Sequence, residues 1–176
     1  MQPVAIVFDL FGTLLDIASL RASAARHAVD PAAFVASWRE KQLGYAFAAT
    51  IMNAYEDFDA LTLRALRYAV ARHGVNIAAP ELELLAAQWR SAQPFPDAQP
   101  ALAELRRRGL RCAVLTNGTP ATAAAAVASA GLSDSIEAIL SVDSAAAYKP
   151  DARVYALATA HYATAPERLV FVTANG

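Results

Sequence analysis

The chain has 176 residues, with 15 basic and 16 acidic side chains, a formal net charge of −1 and a single cysteine. This balance, without a basic stripe interleaved with aromatic residues, argues against a nucleic acid partner, and Cys112 alone cannot form an internal disulfide. Residues 1–15 lack a secretory signal and the apolar tract 120–130 is too short for a membrane span, so we expect a cytoplasmic protein with no membrane partner.

The predicted elements divide the chain into three parts. An apolar strand at residues 4–8 comes first, and residues 17–93 then show only helical patterns. Beyond a proline-rich connector, helices and strands alternate. The predicted helices are 31–49, 61–72, 80–90, 98–108, 121–130 and 151–162, and the later strands are 110–115, 136–142 and 169–172. Alternation of this kind predicts an α/β fold: a parallel-sheet core domain formed by 1–16 and 94–176, with a helical subdomain inserted at 17–93.

Polar residues follow each predicted core strand at the point where it ends. Asp9 follows the first strand, Thr116 and Asn117 follow the second, Lys149 comes after the third, and residues 173–175 follow the last. Each alone is most simply a turn, a helix cap or a surface charge. Because ligands bind at the carboxyl edge of an open parallel sheet, the coincidence predicts a site there, with Asp9 as its nucleophile.

These residues resemble the four motifs of the haloacid dehalogenase superfamily, and the similarity runs from Asp9 to Gly176. The motifs are matched, in order, by Asp9 with Thr13, by Thr116, by Lys149 and by the start of the last motif at 173–176. The resemblance implies a Rossmannoid parallel-sheet core, with residues 17–93 as a helical cap subdomain.

Three features are similar to the 2-haloacid dehalogenase branch in particular. Phe11 stands where the phosphatases of the superfamily carry a second aspartate, which serves as a Mg²⁺ ligand and general acid. An aromatic ring does neither, whereas a halide leaves without protonation. The segment 37–45 resembles the cap helix that bears the substrate-contacting arginine, here Arg39, and 148–155 follows the dehalogenase form of the lysine motif. The resemblance implies hydrolysis of 2-haloacids to 2-hydroxy acids through an ester on Asp9, with neither metal nor cofactor.

The same resemblance assigns the site residues to two groups. The residues expected to act on the nucleophile and the ester are Asp9, Thr13, Lys149, Thr173 and Asn175. The residues expected to contact the substrate or halide are Leu10, Phe11, Arg39, Leu43, Phe58, Thr116, Asn117 and Tyr155. Lys149 and Thr13 should keep Asp9 ionised, because a nearby ammonium favours a charged carboxylate. Thr116 and the backbone N–H groups after Asp9 should hold the substrate carboxylate. Arg39 and Asn117 should bind the departing halide.

The sequence also departs from the branch pattern. Phe11 replaces a tyrosine, and Thr116 and Thr173 stand where serine is usual, so an extra methyl narrows the pocket and favours short acids. The fourth motif also uses an aspartate that is absent up to Gly176. We therefore expect the natural protein to continue past Gly176 and to carry that aspartate.

Two other functions stay open at this point. A phosphatase of the same fold would release phosphate with Mg²⁺, and a non-catalytic relative would bind a haloacid without turnover. The alternative for Arg39 is that it is a surface partner of Glu40 or of a nearby acid. No metal site is expected from the three histidines, which lack ligand spacing. Apolar positions on the cap helices leave a homodimer open.

Overall fold

A computed structural model describes residues 3–174, which form a mixed α/β structure. The strands and helices are, in chain order, β1 (Ala5–Phe8), β2 (Leu15–Asp16), α1 (Arg21–Ala24), α2 (Pro31–Ile51), α3 (Phe58–Arg72), α4 (Ala79–Ala86), β3 (Gln93–Pro94), α5 (Ala98–Arg107), β4 (Arg111–Thr116), α6 (Pro120–Ser129), β5 (Ala138–Ser141), α7 (Ala152–Tyr162) and β6 (Leu169–Val172). Short 3₁₀ segments lie at Ile17–Leu20, Ala87–Ser91, Ser133–Ser135, Val142–Ala145 and Pro166–Arg168.

The main sheet has four parallel strands in the order β5-β4-β1-β6, which confirms the predicted α/β class. At the carboxyl end of β1, Phe8 pairs with Val114 of β4 and with Val172 of β6. β1 therefore lies inside the sheet, and it is buried along its whole length. A strand covered on both faces needs an unbroken apolar run, which is the pattern that residues 4–8 show.

Successive residues of β1 pack into two separate hydrophobic clusters, one on each face of the sheet. Ile6 and Phe8 belong to a cluster that includes Leu102 of α5 and Trp38 of α2. Ala5 and Val7 belong to the other, with Val154 and Ala158 of α7. This division follows from the alternation of side chains along a strand. Beyond the strand, Leu10 and Phe11 continue the cluster of Ile6 and Phe8, whereas Asp9 belongs to neither cluster.

Between β2 and β3 the described elements are helical, as predicted. Asp30 and Asp57 cap α2 and α3, because their side chains accept hydrogen bonds from Ala33 N–H and Ala60 N–H. The indole of Trp38 donates to Thr62 O at 2.8 Å and joins these two helices. Although α2 has 21 residues, no helix in the described part of the chain is long and apolar enough to cross a membrane.

Several predictions of element bounds are wrong. The helix predicted at 61–72 begins earlier, at Phe58, the helix predicted at 31–49 ends at Ile51, and the short helix α1 was not predicted. The two-residue strands β2 and β3, which pair antiparallel where the chain enters and leaves the helical segment, were not predicted. Two residues are too few to show the alternation by which strands are recognised. The helix predicted at 80–90 ends at Ala86 and continues as a 3₁₀ segment, a common way for a last turn to tighten. The strand predicted at 136–142 is confined to Ala138–Ser141.

The helical segment also contacts the core through a carboxylate. Asp59, on α3, accepts hydrogen bonds from the hydroxyls of Thr119 and Thr122 at 3.1 and 2.8 Å. Thr119 is the N-cap of α6, so Asp59 lies at the positive end of that helix. This contact fixes α3 over the same edge of the sheet from which Thr116 projects.

Candidate active site

Asp9 follows β1 directly and is only 6% exposed. Its N–H donates to Val172 O at 2.9 Å, so the backbone is still held by β6 at this residue. The chain then reverses at Gly12, whose φ of +95° is one that a side chain would disfavour. The carboxylate is thus presented on a rigid strand end with a tight turn behind it.

Lys149 brings three loops together at this carboxylate. Its Nζ lies 2.5 Å from Asp9 Oδ1 and 2.9 Å from Leu115 O, at the end of β4. Its backbone N–H donates to Asn117 Oδ1 at 3.2 Å. The residues that follow β1 and β4 therefore meet the lysine loop at one edge of the sheet, as the sequence pattern predicts.

Burial lowers the pKa of Lys149 below its ordinary value, and the nearby charge of Arg39 lowers it further, while Asp9 opposes the shift. The buried ammonium and carboxylate compensate each other, and Lys149 also donates to a carbonyl. The ammonium is therefore in direct contact with the carboxylate that the sequence predicts as the nucleophile.

A cavity of about 290 Å³ opens in front of Asp9. We call it the Asp9 cavity. Ten predicted site residues line it: Asp9, Phe11, Arg39, Leu43, Phe58, Thr116, Asn117, Lys149, Tyr155 and Thr173. The volume lies at the lower end of the range for small-molecule sites, which suits a short substrate. The wall combines one carboxylate, two cations and several apolar side chains.

Arg39 reaches the Asp9 cavity from α2. One of its terminal nitrogens donates to Gln42 Oε1 at 2.7 Å and the other to Phe11 O at 3.3 Å, and the guanidinium lies over the ring of Trp89. Burial lowers its pKa to about 10, against the opposing effect of Asp9, so the group stays charged at neutral pH. None of the described ion pairs joins Arg39 to Glu40 or to another acid.

Thr116 is buried at the end of β4, where its Oγ1 accepts from Gly118 N–H at 3.0 Å. That acceptor role leaves its hydroxyl hydrogen as a donor. A Cβ at position 118 would lie 3.1 Å from Cε2 of Phe11, so glycine allows the Phe11 ring to approach this loop. The ring in turn packs edge-on against Trp89. Phe11 therefore packs between the loop that follows β4 and the ring of Trp89.

Tyr155, on α7, closes the cavity beside β6. Its ring packs edge-on against Phe171, with centroids 5.5 Å apart. Burial raises the pKa of its hydroxyl, and the negative charge of Asp9 raises it further. The hydroxyl therefore stays protonated at neutral pH and can act as a hydrogen-bond donor.

Two predicted site residues, Leu10 and Thr13, do not line the Asp9 cavity. Leu10 is fully buried, and its N–H donates to Asp9 Oδ1 at 2.8 Å. Contact between this N–H and a substrate stays a prediction, because the N–H would first have to release Asp9. Thr13 Oγ1 accepts from Ala174 N–H at 3.0 Å and ties the turn after Asp9 to the end of β6. Asn175 lies outside the described residues.

The cavity wall also contains residues that the sequence patterns did not single out: Phe47, Pro150 and Phe171. Phe47 was detectable, since it follows Leu43 by four residues on α2 and such residues share a helix face. Gln42, which contacts Arg39 from behind, carries no comparable signal. Within residues 3–174, no three His, Cys, Asp or Glu side chains are grouped as metal ligands.

Comparisons with known proteins agree with this geometry. The profile of the haloacid dehalogenase-like hydrolases matches residues 4–173. The (S)-2-haloacid dehalogenase of Pseudomonas sp. (strain YL) is 36% identical over 97% of this chain and 74% of its own length. Haloacetate dehalogenase H-2 of Moraxella sp. (strain B) is 33% identical over 97% of this chain and 77% of its own.

A solved structure is similar over nearly the whole chain as well. It is the L-2-haloacid dehalogenase of Xanthobacter autotrophicus with chloropropionic acid covalently bound. It superimposes with a TM-score of 0.93 at 35% identity, covering 99% of this chain and 71% of that one.

Proposed function

The chain belongs to the haloacid dehalogenase-like hydrolases, and we propose that it hydrolyses short 2-haloalkanoic acids to 2-hydroxy acids through an ester on Asp9. The observation that carries this function is the Asp9 carboxylate at 2.5 Å from the Lys149 ammonium, facing a small cavity that also contains Arg39. The cavity thus offers a nucleophile and a separate positive charge for a leaving anion. The similar dehalogenase with covalently bound chloropropionic acid supports a covalent step.

In the first step an oxygen of Asp9 attacks the carbon that bears the halogen. The carbon–halogen bond breaks as the carbon–oxygen bond forms, the halide leaves with the bonding electrons, and the configuration at that carbon inverts. Halide needs no proton to leave. Phe11, at the second position after Asp9, provides neither an acid nor a metal ligand, so we propose that the reaction runs without a metal.

The negative charge that develops on the halogen needs stabilisation, and we assign this role to Arg39 and Asn117. Arg39 is charged at neutral pH, because its pKa of about 10 lies well above that range. The side-chain oxygen of Asn117 accepts from Lys149 N–H, which leaves the amide nitrogen as the donor for an anion. Donors fixed where charge develops lower the barrier most.

The substrate carboxylate would lie near Thr116, whose hydroxyl has a hydrogen left to donate. Leu43 and Phe58 line the Asp9 cavity and would contact the apolar part of the substrate. In the second step, water adds to the ester carbonyl of Asp9, the 2-hydroxy acid departs, and the carboxylate is regenerated with release of one proton. Thr173 lines the cavity on the β6 side, and we assign it to this step.

We further propose that residues 17–93 act as a cap subdomain over a core formed by 1–16 and 94–176. The pairing of Leu15 with Pro94 and of Asp16 with Gln93 supports this division, since it joins the two chain crossings at their shared boundary. Arg39, Leu43 and Phe58 then form the cap side of the cavity, and Asp9, Thr116 and Lys149 the core side.

The test is halide release from chloroacetate, bromoacetate and both enantiomers of 2-chloropropionate, in excess chelator, with Asp9→Asn as the control. Repeated halide release by the unchanged protein alone supports the proposal. Release that requires added Mg²⁺, or hydrolysis of p-nitrophenyl phosphate in its place, contradicts it and favours the phosphatase. A single halide per protein molecule favours the non-catalytic relative.

A further inference from the structure

Gln42 is a fully buried polar side chain directly behind Arg39. It lies three residues after Arg39 on α2, and none of its surface is exposed. Its Oε1 accepts from Arg39 at 2.7 Å, and its Nε2 donates to Thr62 Oγ1 at 2.5 Å. A buried amide is costly unless both of its ends are hydrogen-bonded, and here both are.

The hydrogen-bond partners permit one orientation of this amide. The guanidinium of Arg39 can only donate, so it must face the amide oxygen. The hydroxyl of Thr62 donates to Phe58 O at 2.6 Å, so its oxygen is left to accept from the amide nitrogen. A side chain that accepts at one end and donates at the other is therefore required at position 42. Glutamate has the same length but lacks the donor.

The second partner of Gln42 also leads to the Asp9 cavity. The hydroxyl of Thr62 donates a hydrogen bond to the carbonyl of Phe58, and Phe58 lines that cavity from α3. The chain Arg39–Gln42–Thr62–Phe58 thus joins the cationic and apolar parts of the cap wall. A separate cavity of about 150 Å³ borders Gln42 and Thr62, so a shorter residue at position 42 would admit water behind Arg39.

We propose that Gln42 is a positioning residue for Arg39, with Thr62 holding Gln42 in turn. The inference rests on the proposed function, because it assigns to Arg39 the stabilisation of the leaving halide. Among the described ion pairs, none joins Arg39 to a carboxylate, whereas Lys149 is paired with Asp9. The charge of Arg39 must nevertheless stay where the halide forms. Gln42 fixes it with a neutral acceptor, which leaves the positive charge uncancelled for the halide.

The kinetic test compares Gln42→Met, which keeps the size but removes both hydrogen bonds, with Gln42→Glu and Thr62→Val. Ser37→Ala, another buried polar position on α2, is the matched control. We expect kcat to fall about 10- to 100-fold in Gln42→Met with a smaller change in KM, because misplacement of a charge acts mainly on the transition state. In Gln42→Glu kcat should fall further, because the new carboxylate cancels part of the Arg39 charge. In Thr62→Val kcat should fall less than in Gln42→Met.

A leaving-group comparison separates positioning from a general packing defect. Bromide is the better leaving group, so it depends less on stabilisation of the developing charge. The ratio of bromoacetate to chloroacetate turnover should therefore rise in Gln42→Met and stay unchanged in Ser37→Ala. Equal losses on both substrates, or losses no larger than those of the control, would overturn the proposal.

A second readout does not depend on turnover. The guanidinium nitrogen signals of Arg39, assigned by their loss in Arg39→Lys, should report hindered rotation in the unchanged protein and freer rotation in Gln42→Met. If the protein releases no halide but these signals respond to Gln42→Met, the positioning holds and the proposed substrate class fails. Signals that are identical in both proteins would refute the positioning itself.

Discussion

The core side and the cap side of the Asp9 cavity position their charges in different ways. On the core side, Asp9 is held by backbone bonding to β6, and Lys149 by a backbone carbonyl of β4 together with Asp9 itself. On the cap side, Arg39 depends on the side chain of Gln42 and a longer bond to Phe11 O. The core charges are thus fixed by the sheet, whereas the cap charge is fixed by a neighbouring side chain.

The two cationic side chains also have different proposed chemical roles. Lys149 is paired at 2.5 Å with Asp9, the proposed nucleophile, so we assign its charge to that carboxylate. Arg39 bonds only neutral acceptors among the described hydrogen bonds, namely Gln42 and Phe11, so its charge remains for an anion in the cavity. Changes on the core side should therefore abolish the chemistry, whereas changes on the cap side should weaken stabilisation of the leaving group.

The largest expected effect is that of Asp9→Asn on the core side. The amide keeps the size of the side chain but is a poor nucleophile, so turnover should fall by about 10⁴-fold or more. Halide release under excess protein measures it, with circular dichroism to show that the fold persists. Turnover within tenfold of the unchanged protein would mean that Asp9 is not the nucleophile.

Lys149→Met should have the next largest effect. It leaves the buried Asp9 carboxylate without the ammonium that contacts it, and kcat should fall by about 10³-fold because removal of one partner of a buried ion pair disrupts the site. Lys41→Met is the control, because that ammonium lies over the rings of Tyr45 and Tyr68, away from Asp9. Equal activity of the two variants would contradict the role of Lys149.

Arg39→Met on the cap side should have a smaller effect than the two core-side variants. It should lower kcat/KM by about 10²-fold, since it removes one source of stabilisation and keeps the nucleophile. The loss should be greater for chloroacetate than for bromoacetate. Arg64→Met, on the neighbouring α3, serves as control because Arg64 pairs with Glu56 at the exposed surface. A loss as large as that of Asp9→Asn would break the distinction between the two sides of the cavity.

The smallest expected effect is on the alkaline side of the pH profile. Burial lowers the pKa of Arg39 to about 10, and it also lowers that of Lys149. Both side chains therefore lose their charge at lower pH than exposed residues of their type, and kcat/KM should fall as the pH rises, to about half near pH 10. Initial rates of halide release measure this, after a check that the protein stays folded. A rate that is constant beyond pH 10.5 would contradict these shifts.

The core side of the Asp9 cavity is predictable from the sequence because the patterns that identify it are local. An apolar run ending at Asp9 identifies a buried strand and its exit, and parallel strands place their exits at one edge. Asp9 and Lys149 are 140 residues apart in sequence, yet this rule alone brings them together. The start of α2 is also predictable, because Pro31 is a recognisable start signal. The start of α3 was predicted at residue 61, because the cap at Asp57 was not recognised, and the helix begins at Phe58.

The supporting contacts of the cap are not predictable in this way. Nothing in a single sequence distinguishes buried Gln42 from an exposed glutamine, because its partner Thr62 lies on a different helix. The pairing of β2 with β3 is not predictable for a similar reason, since each strand has two residues and is defined by its partner. These features depend on tertiary contacts between distant segments, and periodicity carries no information about them.

The central claim is that Asp9 forms an ester, and a single turnover in ¹⁸O-labelled water tests it most directly. The protein is held in excess over 2-chloropropionate, and both the hydroxy acid and the peptide that contains Asp9 are analysed by mass spectrometry. If water attacks the ester carbonyl, the first ¹⁸O atom appears in the Asp9 carboxylate and the product is unlabelled. Label in the product of that first turnover, with an unlabelled Asp9, would mean direct attack by water and would contradict the ester mechanism.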